Sequence, residues 1–237
     1  MNLELLADPE ALAKTAARFI AAEATAAVGA RGRFTMAVSG GHTPWLMLRA
    51  LSAESLPWES VHVFQVDERV APAGHADRNL THLKGSLLEN TPLAPEHIHA
   101  MPVEESDLEA APASYSRLLQ EIAGVPPTLD LVHLGLGSDG HTASLLPGDP
   151  VLNVIDCDVA LTGIYQKRKR MTLTYPVLNR ARRILWLVTG PDKRQMLARL
   201  QCGEVSIPAG RVRQDRAIVL ADYAAGKTVQ TMEASCE

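Results

Sequence analysis

Cysteine is scarce in this chain of 237 residues: Cys157, Cys202 and Cys236 are its three, and they stand far apart. An odd number at such spacing makes neither a disulfide framework nor a metal site, and the three read as reduced thiols of a cytoplasmic protein. A basic surplus is missing as well. Lys and Arg number 23 against 27 Asp and Glu, a formal net charge of −4, whereas a nucleic-acid binder would carry a basic stripe. No nucleic-acid partner is expected. No apolar run approaches the length of a membrane span. Residues 1–8 lack the basic start and apolar core of a signal peptide. Repeats, low-complexity tracts and linker-like stretches are absent too, so residues 1–237 read as one domain, with 46% apolar and 21% charged residues as in ordinary globular proteins. That length buries a substantial core.

What the chain does have is an alternation of helical and extended patterns. Asp8-Pro9 is a helix start, cap then first turn. Leu12, Ala16, Phe19, Ile20 and Ala24 follow at helical spacing to about residue 28, where Gly29 and Gly32 stop the helix. Apolar strands are expected at 34–38, 61–66, 129–134, 159–162, 171–175, 184–188 and 217–221, with a short edge strand at 98–101. Helices are expected after 43, through 80–88, over 108–122, over 142–146 and up to about 200. Thr43 caps the second of these helices and Pro44 takes its first position. The pattern predicts an α/β fold: an open, mostly parallel, Rossmann-like sheet with helices on both faces.

Four of those strands end in polar clusters, which a parallel sheet would gather along one edge. Ser39-Gly40-Gly41-His42-Thr43 has the anatomy of a phosphate cradle: small residues exposing backbone N–H groups, two hydroxyls, and a helix start. It matches neither the nucleotide-triphosphate loop nor Gly-x-Gly-x-x-Gly, which points to a sugar phosphate rather than a dinucleotide. A capped turn would use the same residues. Asp67-Glu68-Arg69 puts a carboxylate and a permanently charged guanidinium at another strand end, with Arg78 and Asn79 near enough in sequence to join them. Gly137-Ser138-Asp139-Gly140-His141 carries an imidazole, a group able to take a proton from water near neutral pH, with Asp139 placed to orient it. In Lys167-Arg168-Lys169-Arg170 most of the run reads as a solvated face, and Arg170, bordering an apolar strand, is the one suited to binding. Lys193 follows Gly190 at the last of the four ends. The Gly-x-Ser-x-Gly elbow of serine hydrolases is absent.

Ser39 to Pro44, Val66-Asp67-Glu68-Arg69-Val70-Ala71-Pro72, the Gly135 to Gly148 stretch, Arg170 to Thr174, Gly190 to Lys193 and Ala221-Asp222 together resemble the 6-phosphogluconolactonases, of the superfamily that also holds the glucosamine-6-phosphate deaminases. The resemblance implies hydrolysis of 6-phospho-D-glucono-1,5-lactone in the oxidative pentose phosphate pathway, with no metal or organic cofactor. Carried over by position, His141 is the base that activates water and Asp67 and Arg69 flank the lactone. Ser39, Gly40, Gly41, Thr43, Arg170 and Lys193 meet the phosphate. His42 stands where the family usually has a small hydroxyl residue. Gln166-Lys167-Arg168-Lys169 replaces a Gly-Pro-Pro-like turn, and Asp77-Arg78-Asn79 replaces a serine-asparagine pair. Deaminases carry Asn-Glu-Pro after the histidine, where this chain has Thr142-Ala143-Ser144-Leu145-Leu146-Pro147. A deaminase-isomerase and a non-enzymatic sugar-phosphate sensor are the competing readings. A monomer or weak homo-oligomer is expected.

Overall fold

The structure, a computed structural model, describes residues 1–227. Seven strands make one sheet: β1 (Asn2–Leu6), β2 (Phe34–Val38), β3 (Val61–Gln65), β5 (Ile98–His99), β6 (Leu131–Gly135), β9 (Arg183–Val188) and β10 (Ala217–Asp222). Their order is β1-β10-β9-β6-β2-β3-β5, and every neighbouring pair runs parallel. The expected α/β architecture is present. A second, antiparallel sheet of three short strands, β4 (Asp67–Arg69), β8 (Arg170–Leu173) and β7 (Val159–Leu161), projects from the first.

Two apolar clusters fill the two faces. In β2, Phe34, Met36 and Val38 point to one face with Leu12, Ala16 and Ile20 of α1 (Pro9–Arg31) and Met47, Leu48 and Leu51 of α2 (His42–Ser52); α3 (Asn79–Ser86) adds Leu83. Ala37 points the other way, into a core with Tyr115 and Leu119 of α4 (Ala111–Ala123), Leu178 of α5 (Tyr175–Arg180), Leu197 and Leu200 of α6 (Arg194–Gln201) and Ala225 of α7 (Tyr223–Gly226). The alternation along a strand assigns residues to faces, and each buried large side chain contributes about 1.5–3 kcal/mol of transfer free energy.

Several local expectations are corrected. Asp8 does cap α1, accepting the Ala11 N–H at 2.7 Å, but the helix runs through Gly29 to Arg31 and ends on Gly32 at φ +73°. The apolar stripe outweighs one glycine of low helix propensity. Strand β1 carries no strong alternation, being an edge strand, and was not expected. Helix α2 starts at His42 with Gly41 as its cap rather than Thr43. The helix expected at 142–146 does not form. Ala143 sits at φ +52°, and Thr142 pairs with Leu145 in a bridge instead. Residue 175 opens α5 instead of closing a strand, because Pro176 suits a first helical turn. Cys202 is disulfide-bonded, so the expectation of three reduced thiols fails there. Cys157 is free and Cys236 lies outside the described residues. Among the described residues no helix is long and apolar enough to cross a membrane.

Candidate active site

Strands β9, β6, β2 and β3 are neighbours in the sheet, so the four polar clusters do meet at one rim. The chain leaves β2 toward β3 on one side, while β6 lies on the other. Such a reversal opens a crevice at the strand carboxyl ends. The crevice here has a volume of about 180 Å³ and is lined by residues from all four ends, Ser39 and Gly40, Asp67 and Arg69, Gly137 and His141, and Lys193, joined by Arg170 from β8 and Asn79 from α3. It is small and mostly polar, suited to a compact charged ligand rather than an apolar one.

Asp67 and Arg69 were expected in a strand-end loop; they are instead strand β4, paired with β8 so that Arg69 lies directly across from Arg170. Asp67 is buried. Its Oδ2 accepts from Ser144 Oγ at 2.6 Å, and its Oδ1 accepts from Asn79 Nδ2 at 3.2 Å. Asn79 Oδ1 in turn accepts from Arg69 Nη1 at 2.8 Å. The Nε atoms of Arg69 and Arg170 are both buried without a hydrogen-bond partner in the protein. Buried donors normally find partners; two adjacent guanidinium groups with unpartnered Nε atoms in one cleft are chemically suited to an anion. Burial, and then the charge of Arg69 opposite, lower the pKa of Arg170 below that of an ordinary arginine, with Asp67 opposing.

Glu68 and Arg78 turn away from the cleft. They form a buried pair, Arg78 Nε to Glu68 Oε2 at 3.1 Å. Glu68 also accepts the N–H groups of Arg69, Asn79 and Leu80 at 2.8–2.9 Å. Of the two side chains grouped with this cluster from sequence, Asn79 enters the cleft and Arg78 supports it from beneath.

His141 stands in a tight turn after β6. Gly137 N–H donates to the His141 carbonyl at 2.8 Å, and Gly140 turns at φ +83°. A methyl group on Gly137 would overlap the His141 ring and the Asp139 carboxylate, so this glycine is required by close approach. Asp139 Oδ1 lies 2.6 Å from His141 Nδ1. Among the described residues no group of three or more His, Cys, Asp or Glu could hold a metal ion.

The cradle is only partly as expected. Ser39 and Gly40 line the cleft; Gly41 and Thr43 are not among its lining residues. Ser39 is tied beneath it, its N–H donating to His133 Nδ1 at 3.2 Å and its Oγ to the His133 carbonyl at 3.0 Å. Thr43 Oγ1 is engaged with Thr189 Oγ1 at 2.6 Å. Gly41 caps α2 at φ +129°. Lys193 reaches the cleft from the turn after β9, where the Gly190 N–H donates to both oxygens of Asp222, at 3.1 and 3.0 Å. Sequence reasoning missed His133, which accepts the Ser39 N–H, and Ser144, which donates to Asp67; both partners are brought close only by the fold, and neither residue had a local signal.

Fold and cleft define the class: a parallel α/β protein whose strand carboxyl ends hold a cleft lined by one imidazole and three basic side chains, Arg69, Arg170 and Lys193. The chain belongs to the glucosamine-6-phosphate isomerase/6-phosphogluconolactonase family, whose model matches residues 7–220. The 6-phosphogluconolactonase of a Synechocystis strain is 35% identical over 237 residues, covering 97% of this chain and 98% of that one. The Streptomyces coelicolor 6-phosphogluconolactonase is 32% identical over 239 residues, covering 92% and 90%. The solved 6-phosphogluconolactonase from Thermotoga maritima matches with a TM-score of 0.82 at 25% identity, covering 93% and 98%. A monomeric glucosamine-6-phosphate deaminase matches at 19% identity with a TM-score of 0.84, covering 96% and 99%. The fold alone therefore does not separate the two chemistries.

Proposed function

We propose that the protein hydrolyses 6-phospho-D-glucono-1,5-lactone to 6-phospho-D-gluconate, with His141 activating water. The observation that carries the chemistry is the pairing of a carboxylate-oriented imidazole with two orphaned guanidinium donors in one cleft. The relatives named 6-phosphogluconolactonase supply the substrate.

Asp139 accepts the hydrogen bond of the His141 Nδ1–H, which keeps that proton on Nδ1 and leaves Nε2 as the base. Water attacks the lactone carbonyl as Nε2 takes its proton. The tetrahedral oxyanion meets Arg69, held in place by Asn79. The imidazolium then gives its proton to the ring oxygen as the C–O bond breaks. Asp67, fixed by Ser144 and Asn79, flanks the sugar. Arg170, Lys193 and the backbone of Ser39 and Gly40 hold the phosphate, with Gly41 and Thr43 shaping the turn; anchoring a remote group orients the acyl carbon for attack. One α/β domain carries the whole reaction, as a monomer or weak homo-oligomer, without metal or organic cofactor. A phosphorylated lactone does not cross membranes unaided and opens spontaneously, so the enzyme works in the compartment where its substrate forms; the cytoplasm is our reading of that compartment.

The test is a lactonase assay on freshly made substrate with the spontaneous rate subtracted. His141→Ala lowers kcat by roughly two to four decades, and Arg170→Ala chiefly raises KM. Wild-type protein that releases ammonia from glucosamine 6-phosphate and leaves the lactone alone would overturn the reading in favour of a deaminase; one that binds sugar phosphate without turning over either substrate is a sensor.

A further inference from the structure

The hairpin joining β7 to β8 has two non-glycine residues at positive φ, and its side chains touch residues of the cleft. Tyr165 and Arg168 exchange both backbone hydrogen bonds, at 2.9 and 3.1 Å. Between them Gln166 and Lys167 sit at φ +50° and +68°. Two-residue turns with both central residues at positive φ are normally Asn-Gly or Gly-Gly. A residue other than glycine in that region costs on the order of 1–3 kcal/mol, so the surroundings must hold this turn in place.

They do so through three side chains. Arg170 Cζ lies 4.9 Å from the centroid of the Tyr165 ring, within cation–π range. The same ring stands 6.3 Å from the His141 ring at an interplanar angle of 63°, an edge-to-face contact. Gln166 Oε1 accepts from Arg170 Nη2 at 3.1 Å. Arg168 Nη2 pairs with Asp77 Oδ2 at 2.9 Å, and the Asp77 carbonyl accepts from Arg69 Nη1 at 2.9 Å.

Arg170 needs such support. It is 4% exposed and lies across the strand pair from Arg69, and like charges directly opposite one another are destabilising. The remaining side-chain hydrogen bond of its guanidinium is weak: Nη1 to Ser144 Oγ is 3.5 Å. We propose that Tyr165 is a positioning residue: its ring face fixes the Arg170 guanidinium for the anion, and its edge-to-face contact buttresses the imidazole that Asp139 orients. One aromatic side chain thereby ties the anion-holding half of the cleft to its proton-transferring half. The catalytic part of this inference rests on the proposed lactonase reading; the part concerning Arg170 and the imidazole does not.

Binding of inorganic phosphate and the NMR chemical shifts of the His141 ring protons are measured for wild type, Tyr165→Leu and Tyr165→Phe. Neither readout requires turnover, so a wild type inactive on the lactone sinks the proposed function while Tyr165 is still judged. Tyr165→Leu weakens phosphate binding by roughly fivefold to thirtyfold, moves the His141 ring-proton shifts, and raises KM more than it lowers kcat. Tyr165→Phe, which keeps the ring, restores phosphate affinity and KM to within about twofold and returns the ring-proton shifts toward wild type. Phosphate affinity and ring-proton shifts unchanged in Tyr165→Leu overturn the proposal, and so does a Phe variant as impaired as the Leu variant. Should Tyr165→Leu not fold, nuclear Overhauser contacts between the Tyr165 ring and the His141 ring protons in wild type decide: their presence supports the proposal and their absence overturns it.

Discussion

Asp139 Oδ1 accepts two hydrogen bonds from a single residue, the His141 backbone N–H at 3.1 Å and its Nδ1 at 2.6 Å. Partial burial pushes the Asp139 carboxyl up, but the hydrogen bonds and charge of His141 outweigh it, and the net pKa falls below the ordinary carboxylate value. Asp139 is therefore ionised wherever a histidine can work as a base, and it selects the tautomer with the proton on Nδ1. Asp139→Asn keeps the shape and loses that selection. It should lower kcat by about a hundredfold, with KM nearly unchanged. Steady-state kinetics check this, and a wild-type kcat would remove Asp139 from the mechanism.

Gly137→Ala tests whether the closeness of backbone and imidazole matters. The added methyl overlaps both the His141 ring and the Asp139 carboxylate, so the pair must shift. A displacement on the order of 1 Å in a catalytic group costs about a hundredfold. The expected result is a large loss of kcat in a protein whose thermal midpoint changes little, because both affected side chains are partly exposed. Calorimetry and kinetics on the same preparation separate the two outcomes; equal losses of stability and activity would contradict the expectation.

The parallel sheet and its convergent rim were legible because apolar strands end in glycine and polar residues at four places, and parallel pairing turns that repeat into geometry. What the sequence hid were relationships across the antiparallel sheet. Asp67-Glu68-Arg69 reads as a polar loop, since three charged residues have low strand propensity; pairing with 170–172 makes them a strand. Glu68 and Asp67 are adjacent in sequence yet face opposite ways, which is why one supports the cleft and the other lines it. His133 reads as an interruption in an apolar strand. Its partner, Ser39, is 94 residues away.

Arg78 and Glu68, with side chains 2% and 0% exposed, form the ion pair beneath the cleft. Arg78 also donates from Nη1 to the Ala71 carbonyl at 2.8 Å. Removing one partner strands the other charge in the interior. Arg78→Met is expected to destabilise the protein by about 3–5 kcal/mol. Urea unfolding measures this. The loss should exceed that of Arg168→Met, whose pair with Asp77 is partly exposed and worth about 1 kcal/mol or less. Equal effects would show that the buried pair is no more than a surface one.

Acid should unfold the protein through neutral histidines as well as through carboxylates. Burial pushes His133 down to about 3. His62 and His99 are lowered to about 4, by burial first and then by the charges of neighbouring histidines, with Arg33 adding to the effect on His62. In the unfolded chain each returns to the ordinary 6.5. Below that value the unfolded state binds protons that the folded state refuses, so stability is full above about pH 6.5 and falls as pH drops toward 3–4. Each such proton contributes a slope of about 1.4 kcal/mol per pH unit. His133 Nδ1 accepts the Ser39 N–H, and the side-chain oxygen of Asn offers an acceptor in a similar place without titrating. His133→Asn should therefore lower stability at every pH, through the smaller side chain, while reducing the slope between about pH 4 and 6 by one proton's worth. Denaturant midpoints measured across that window give the slope directly. An undiminished slope in the variant would mean that His133 takes up its proton in the folded state, and that the turn carrying Ser39 yields before the sheet does.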